Sequence, residues 1–418
     1  MKSRLARLLS GSALAMVANT AAALLATMWL PAEQRGAMVT SVTVAAFIPI
    51  IATFGSGTAY RVLAGKASTE ALASLKAGYS LLTGIAVVAG ALAGAAAMAV
   101  FATTTDAGIR PVGAFVALTA WSVAQQVLLI QVSDARYASG EFQRTPLWAA
   151  AAGLAGLVAM ALVPVGTRSG ATLLTAQLLG LSGVTVANLV TTWRTGYLAR
   201  PRVAAIRPLL QQGLPVIPMG LGWAAVQKAN RLITAALLGP TAVAVLALAA
   251  TASESSRLIS NATSQLTLHT VAAAEGQPRL TRSYALALTL TAVALAAIVG
   301  AVWFMTVPIF GDAYADVPLL VLGLAGAELC YAVYIVSNRA MLGMQRSRSA
   351  ATISLAAGCA AVPSYLALTH LWGLWGNIAA TVGLYALLAT ASVIVLRKQV
   401  AREVVTPDAD RRVSAPTP

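Results

Sequence analysis

Residues 213–265 read GLPVIPMGLGWAAVQKANRLITAALLGPTAVAVLALAATASESSRLISNATSQ. Two apolar segments, Gly213–Leu238 and Thr241–Leu266, meet at a tight turn, Gly239-Pro240. Each has the ~20 residues that a bilayer-crossing helix needs. Yet the first carries Lys228 and Arg231, and the second Glu254 and Arg257. Counted from the turn at about 1.5 Å per residue, Arg231 lies roughly 12 Å deep, Lys228 roughly 17 Å and Glu254 about 20 Å. All three fall well inside a hydrocarbon core about 30 Å thick. A charge there costs about 2.5 kcal/mol or more, so these groups face protein or a water-filled cavity.

A purely structural reading pairs Glu254 with Arg257 one turn on and lets Lys228 snorkel. It leaves three cations against one carboxylate, and an anionic substrate would supply the missing charge. Asn261 shares a face with Ala250, Glu254 and Arg257 at helical spacing. The half-span from Ser253 to Gln265 is too polar to face lipid, so it is expected to line a cavity. The expected substrate-binding set is therefore Lys228, Arg231, Glu254, Arg257 and Asn261.

The whole chain agrees with a membrane reading. It has 418 residues, 58% hydrophobic and only 10% charged, with mean hydropathy +0.78. A soluble domain carries about 25% charged residues. The net charge of +15 could suggest a nucleic-acid partner, but the basic residues sit at helix ends, where orientation signals belong, so none is expected. Cys330 and Cys359 fall in apolar spans, and His269 and His370 lie far apart. Neither a metal nor a cofactor is expected from them. Lys2, Arg4 and Arg7 precede an apolar run too long for a signal peptide, which reads as a retained first helix.

The pattern predicts an all-α polytopic membrane protein with twelve transmembrane helices. They are Arg7–Leu30, Gly36–Tyr60, Leu75–Ala102, Val112–Ser133, Pro146–Val165, Ala171–Trp193, Gly213–Leu238, Thr241–Leu266, Ser283–Val307, Val317–Asn338, Ala350–Leu368 and Trp372–Leu396. Lys and Arg crowd one side of this arrangement, while the other holds only Arg35, Arg110 and Arg168. The rich side is cytoplasmic, which places both termini inside. The domain reading is a first half over 1–198, a cytoplasmic linker over 199–212, a second half over 213–396 and a disordered tail over 397–418.

A faint repeat relates the halves. Val132-Ser133-Asp134 recurs as Val336-Ser337-Asn338, and Gly140 and Gln143-Arg144 as Gly343 and Gln345-Arg346, while Tyr79 and Tyr284 open corresponding spans. Six spans per half make a parallel repeat, whose halves usually enclose a central site and rock about it.

No Walker loop, HExxH, GxSxG or His/Cys cluster is present, so no catalytic residue is assigned and an enzyme is not expected. Glu328, about 17 Å into span ten, is a candidate for ion coupling or a buried structural carboxyl. Asn19, Gln125, Gln126, Gln177 and Asn188 read as packing hydrogen bonds, and Asp134 as a solvated cap beside Arg136.

The second half resembles the polysaccharide (oligosaccharide-lipid) flippases of the multidrug/oligosaccharidyl-lipid/polysaccharide (MOP) exporter superfamily. LPVIPMGLGWAAVQKANRLITAALLG is similar to that family's span seven, PIFGDAYADVPLLVLGL to its Phe-Gly-x-x-Tyr stretch, HLWGLWGNIAAT to the start of its span twelve, and LPAEQRGAMV to its first turn. The resemblance covers roughly residues 7 to 396. Where the family has Asp-Arg this chain has Asn230-Arg231, which removes an acidic neighbour from Arg231. The resemblance implies two six-helix bundles around a central cavity, and a substrate that is a lipid-diphosphate-linked glycan moved to the outer leaflet of the inner (plasma) membrane. It also implies membrane lipids, glycosyltransferases and a polysaccharide polymerase as partners. A diphosphate would suit Lys228, Arg231 and Arg257. The alternatives are a multidrug or metabolite antiporter of the same fold, and a non-transporting scaffold of a glycan assembly system. Topology reporters fused at Gly108 and Gly170 are expected to read outside, and at Gly140 and Gly276 inside; an inside signal at Gly108 would break the twelve-span reading.

Overall fold

The computed structural model describes residues 2–405 apart from 106–107, 142–143, 204, 273–279 and 345. Gly276, Gln143, Gln345 and tail residues 406–418, on all of which expectations were placed, lie outside the described residues. The elements are α1 Lys2–Trp29, α2 Ala32–Ala52, α3 Ser56–Ala64, α4 Thr69–Thr104, α5 Val112–Ala138, α6 Thr145–Ala161 and α7 Gly170–Arg194. They continue as α8 Ile206–Gly213, α9 Ile217–Glu254, α10 Arg257–Ala272, α11 Thr281–Phe310, α12 Val317–Gly343 and α13 Ser347–Val405. No strand occurs among the described residues.

Eight helical runs among the described residues are long and apolar enough to cross a membrane. Two of these runs contain a break, in α9 at Gly239 (φ 84°) and in α13 at Trp372-Gly373. Two shorter apolar helices, Ala13–Trp29 and Thr145–Ala161, fill the remaining positions of the pattern read from the sequence. Gly239 sits at a positive φ that an L side chain resists, and Pro240 follows it, so the chain turns there as expected.

In the first half α1 packs on α6, α6 on α7, and α5 on α2, α4 and α7. In the second half α12 packs on α10, α11 and α13, and α13 on α9. The halves meet along α2 and α9. Gly36 near the start of α2 abuts the Pro240 carbonyl, and Gly55 just past its end abuts Gly213. The two helices are therefore antiparallel and touch over the full length of α2. The tyrosines that the sequence repeat relates each bond to a neighbouring helix, though not at equivalent positions. Tyr79 Oη donates to the Gln131 backbone carbonyl of α5 at 2.8 Å, and Tyr284 Oη and Ser337 Oγ of α12 lie 2.8 Å apart.

Five expectations are corrected. The second span breaks at Phe54-Gly55, both at positive φ, and continues as α3. The eighth span breaks at Ser255-Ser256. There Ser253 Oγ, Ser255 Oγ and Ser256 Oγ bond back to the carbonyls of Ala250, Thr251 and Ser253. Such side-chain bonds compete with the helical ladder. The expected linker contains α8, whose Leu209 is buried with Leu198 against Tyr60 and Tyr79. Tail residues up to Val405 continue α13 as helix. Arg35, expected in an outer loop, lies inside α2 and is only 7% exposed.

The Gly36 approach is a direct test of the seam. A Cβ there would collide with the Pro240 backbone, which cannot swing away. Gly36→Ala is expected to destabilise by about 1–3 kcal/mol or more. Gly84→Ala, where a Cβ meets nothing, should be neutral or stabilising. Equal thermal midpoints for the two variants would contradict this packing.

Candidate functional site

The first limb of α9 places Gln227 and Arg231 in the wall of a cavity, with Lys228 on the same limb but outside that wall. The second limb returns from Gly239 and ends at Glu254, and α10 restarts at Arg257. The break at Ser255-Ser256 thus falls between two opposite charges. A cavity of about 490 Å³ opens here, with Arg231, Glu254, Arg257, Asn261, Gln227 and Tyr331 in its wall. Met16, Asn19, Thr20 and Ala23 of α1 close the facing side.

The charges form an alternating chain. Arg231 Nη2 lies 3.4 Å from both oxygens of Glu254, and Arg257 Nη1 lies 3.6 Å from Glu254 Oε1. Arg257 then grips Glu328 of α12 with two bonds, Nε to Oε2 and Nη2 to Oε1, each 2.7 Å. Its Nη2 also donates to Tyr385 Oη at 3.3 Å, and its guanidinium lies 4.8 Å from the Tyr331 ring centre. Tyr331 Oη donates in turn to Asn261 Oδ1 at 2.9 Å. The side chain of Glu328 is 2% exposed and that of Arg257 12%, whereas Arg231 and Glu254 reach 19% and 33%. The buried end of the chain is therefore saturated and the other end is open to the cavity.

This arrangement corrects the charge count. The sequence set three cations against Glu254 and treated Glu328 apart. The structure brings Glu328 into the cluster, so the chain of Arg231, Glu254, Arg257 and Glu328 is neutral by itself. The excess lies in two other cations. Lys228 is half-buried and close enough to feel Arg231 and Glu254, but makes no hydrogen bond or ion pair among the described residues. Arg35 is buried in α2, feels Arg231, and donates Nε to Thr27 Oγ1 at 3.1 Å without a carboxylate partner among the described residues. The nearby Tyr314 Oη and Arg231 Nε are buried without a hydrogen-bond partner. Four cations thus face two carboxylates, and the expected excess of two survives with different members.

Arg231 is consequently the guanidinium with donors to spare, while Arg257 is held on all sides. Arg231 finds its carboxylate across the turn, in Glu254. Asn261 lies in the wall as expected. Gln125 and Asn188 do make packing bonds, Gln125 to Thr185 at 2.5 Å and Asn188 from Arg136 at 2.7 Å. Asn19 instead lies exposed in the cavity wall. Asp134 is no solvated cap, since it pairs with Arg61 at 3.3 Å with only 14% of its side chain exposed. Sequence reasoning missed the contribution of α1 and of Tyr331 and Tyr385, because apolar spans give no local sign of which face they turn to a neighbour.

Comparison with known proteins identifies the fold. No family model matches the chain, and no curated protein matches it in sequence. Among solved structures it resembles an inward-facing multidrug resistance MATE family transporter of the MOP superfamily, with TM-score 0.67, 13% identity and 96% of each chain covered. An outward-facing MATE family transporter of that superfamily gives TM-score 0.63, 14% identity and 97% of each chain. A MOP superfamily transporter from Pyrococcus furiosus, reported with a binding pocket of reversed polarity, gives 0.61, 13% and 97% of each chain. The chain therefore has the all-helical fold seen in these transporters, with eight helical runs among the described residues long and apolar enough to cross a membrane.

The Arg257–Glu328 pair can be tested by stability alone. Removing one partner of a buried pair costs about 3–5 kcal/mol because the other charge is stranded. Glu328→Gln should lower the thermal midpoint of the purified protein strongly, and Arg257→Gln added to it should recover most of the loss. Additive effects of the two changes would show that they do not form a pair.

Proposed function

We propose that the protein is a transporter that flips a lipid-diphosphate-linked oligosaccharide from the cytoplasmic to the outer leaflet, for cell-surface polysaccharide synthesis. The observation that carries this reading is the junction of two unlike cavities. The charged cavity shares Thr20, Thr251 and Ser255 with an apolar slot of about 250 Å³ between α1, the second limb of α9 and α11. Leu24, Leu248, Val302, Met305 and Phe310 line that slot, and no charged residue does. An anionic head beside Arg231, with a hydrocarbon tail leaving through the slot, satisfies both at once. Lys228 and Arg35 supply the uncompensated charge for a diphosphate, and Arg231 offers its guanidinium from the cavity wall. Glu254, Asn261 and Arg257 shape the wall. Coupling to an ion at Glu328 would require it to release Arg257.

The six-helix halves over 1–198 and 213–396, joined by 199–212, would rock about this cavity as two bundles in the inner (plasma) membrane, with both termini cytoplasmic. Membrane lipids, a polymerase and glycosyltransferases are the partners this role entails. The second reading is a multidrug antiporter, favoured by the MATE neighbours. Against it, a cationic drug needs a free carboxylate, and both Glu254 and Glu328 are held by arginines.

The test is leaflet accessibility of a lipid-linked oligosaccharide in proteoliposomes. The wild type should equilibrate the lipid between leaflets, Arg231→Ala should slow it at least about tenfold, matching the loss of charged hydrogen bonds, and Arg231→Lys should keep part of the rate. Full flipping by Arg231→Ala, or no flipping by the wild type together with gradient-driven uptake of cationic drugs, would contradict the proposal.

A further inference from the structure

A second cavity of about 400 Å³ adjoins the charged one and shares Gln227, Asn261 and Tyr331 with it. Its wall adds Trp223, Asn338 and Arg339 and contains no carboxylate. Trp223 stacks on Tyr334 at 5.3 Å and on Tyr331 at 6.1 Å, and Tyr331 meets Tyr385 edge-on at 5.9 Å. One side of the cavity is thus a fixed aromatic surface, with Tyr331 and Tyr334 almost fully buried behind it.

The polar groups around this surface are under-used. Gln227 and Arg339 make no hydrogen bond or ion pair among the described residues, and Arg339 Nε is buried without a partner. Asn261 accepts from Tyr331 through Oδ1, leaving its Nδ2 donors free. Buried donors without partners are rare in folded proteins and costly, and Arg339 Nε is one. Beside it and the aromatic rings, the planar amides of Gln227 and Asn261 are accessible in the cavity wall.

We infer that this cavity seats the sugar ring attached to the diphosphate. The inference rests on the lipid-linked glycan reading above and assigns the ring its own subsite. A pyranose has an apolar C–H face and a rim of hydroxyls that both donate and accept. An aromatic surface covers the first, and amide and guanidinium groups bond the second. A purely apolar ligand would leave Gln227, Asn261 and Arg339 unsatisfied. A free phosphate would meet one guanidinium and an aromatic wall. The order along α12 also fits, since Arg339 lies roughly 16 Å from Glu328 along the helix axis, toward the basic, cytoplasmic end. The diphosphate would sit at Arg231 and the first sugar would extend toward Arg339, with Tyr331 and Gln227 shared between them.

Binding to the purified full-length chain in lipid nanodiscs separates this inference from the reading beneath it. The probes are bare polyprenyl diphosphate, and polyprenyl diphosphate carrying one hexose or one N-acetylhexosamine. The wild type should bind all three and favour a sugar-bearing probe. Arg339→Gln and Trp223→Leu should each weaken the sugar-bearing probe about tenfold, as for a lost charged hydrogen bond, and leave the bare probe unchanged. Arg231→Ala should weaken every probe alike. If the wild type binds none of them, the lipid-diphosphate reading itself fails. If it binds bare and sugar-bearing probes equally, or Arg339→Gln weakens both equally, the sugar subsite is overturned and the diphosphate site stands.

Discussion

The interior of this protein depends on the grip of Arg257 on Glu328. Two 2.7 Å bonds hold a guanidinium and a carboxylate together on helices far apart in sequence. In a low-dielectric interior neither charge could stay there alone. The pair fixes the start of α10 against α12, and Tyr331 and Tyr385 enclose it with their rings. Glu254 is shared between Arg231 at 3.4 Å and Arg257 at 3.6 Å. The uncompensated charge is then carried by Lys228 and the buried Arg35, which pair with no carboxylate among the described residues.

That division sets the character of the cavity. A drug site for cations would present a carboxylate with free lone pairs. This one presents the Arg231 guanidinium, with Lys228, which has no partner among the described residues, and the buried Arg35 within electrostatic range of it. Glu254 and Arg257 still pair one turn apart at 3.6 Å, as the sequence alone suggests. Three serines bond to their own backbone around this pair, and Arg257 at the start of α10 also reaches Glu328 of α12.

Much of this was legible in the sequence, and the parts that were not have a common cause. The turn at Gly239-Pro240, the position of Arg231, Glu254 and Arg257 inside apolar helices, and the polar half-span after Ser253 all follow from local pattern. The partner of Arg257 could not be read, because Glu328 is brought to it by tertiary packing. Arg35 was misplaced by a few residues at a helix start. Pro31 begins α2 earlier than the hydropathy implies, and Arg35 then falls on a buried face. The break at Ser255-Ser256 left a signal, a run of serines around a charge, but apolar periodicity on both sides masks it. The pairing of an apolar slot with a charged cavity is visible only in three dimensions, since its walls come from α1, α9, α10, α11 and α12.

The central claim is that one ligand occupies the charged cavity with its head and the apolar slot with its tail. A structure of the protein with bound polyprenyl diphosphate tests that most directly. The account predicts a phosphate within hydrogen-bonding distance of the Arg231 guanidinium and the polyprenyl chain running past Leu24, Val302 and Met305. A phosphate away from Arg231, or a chain lying only on the outer surface with the slot empty, would contradict it.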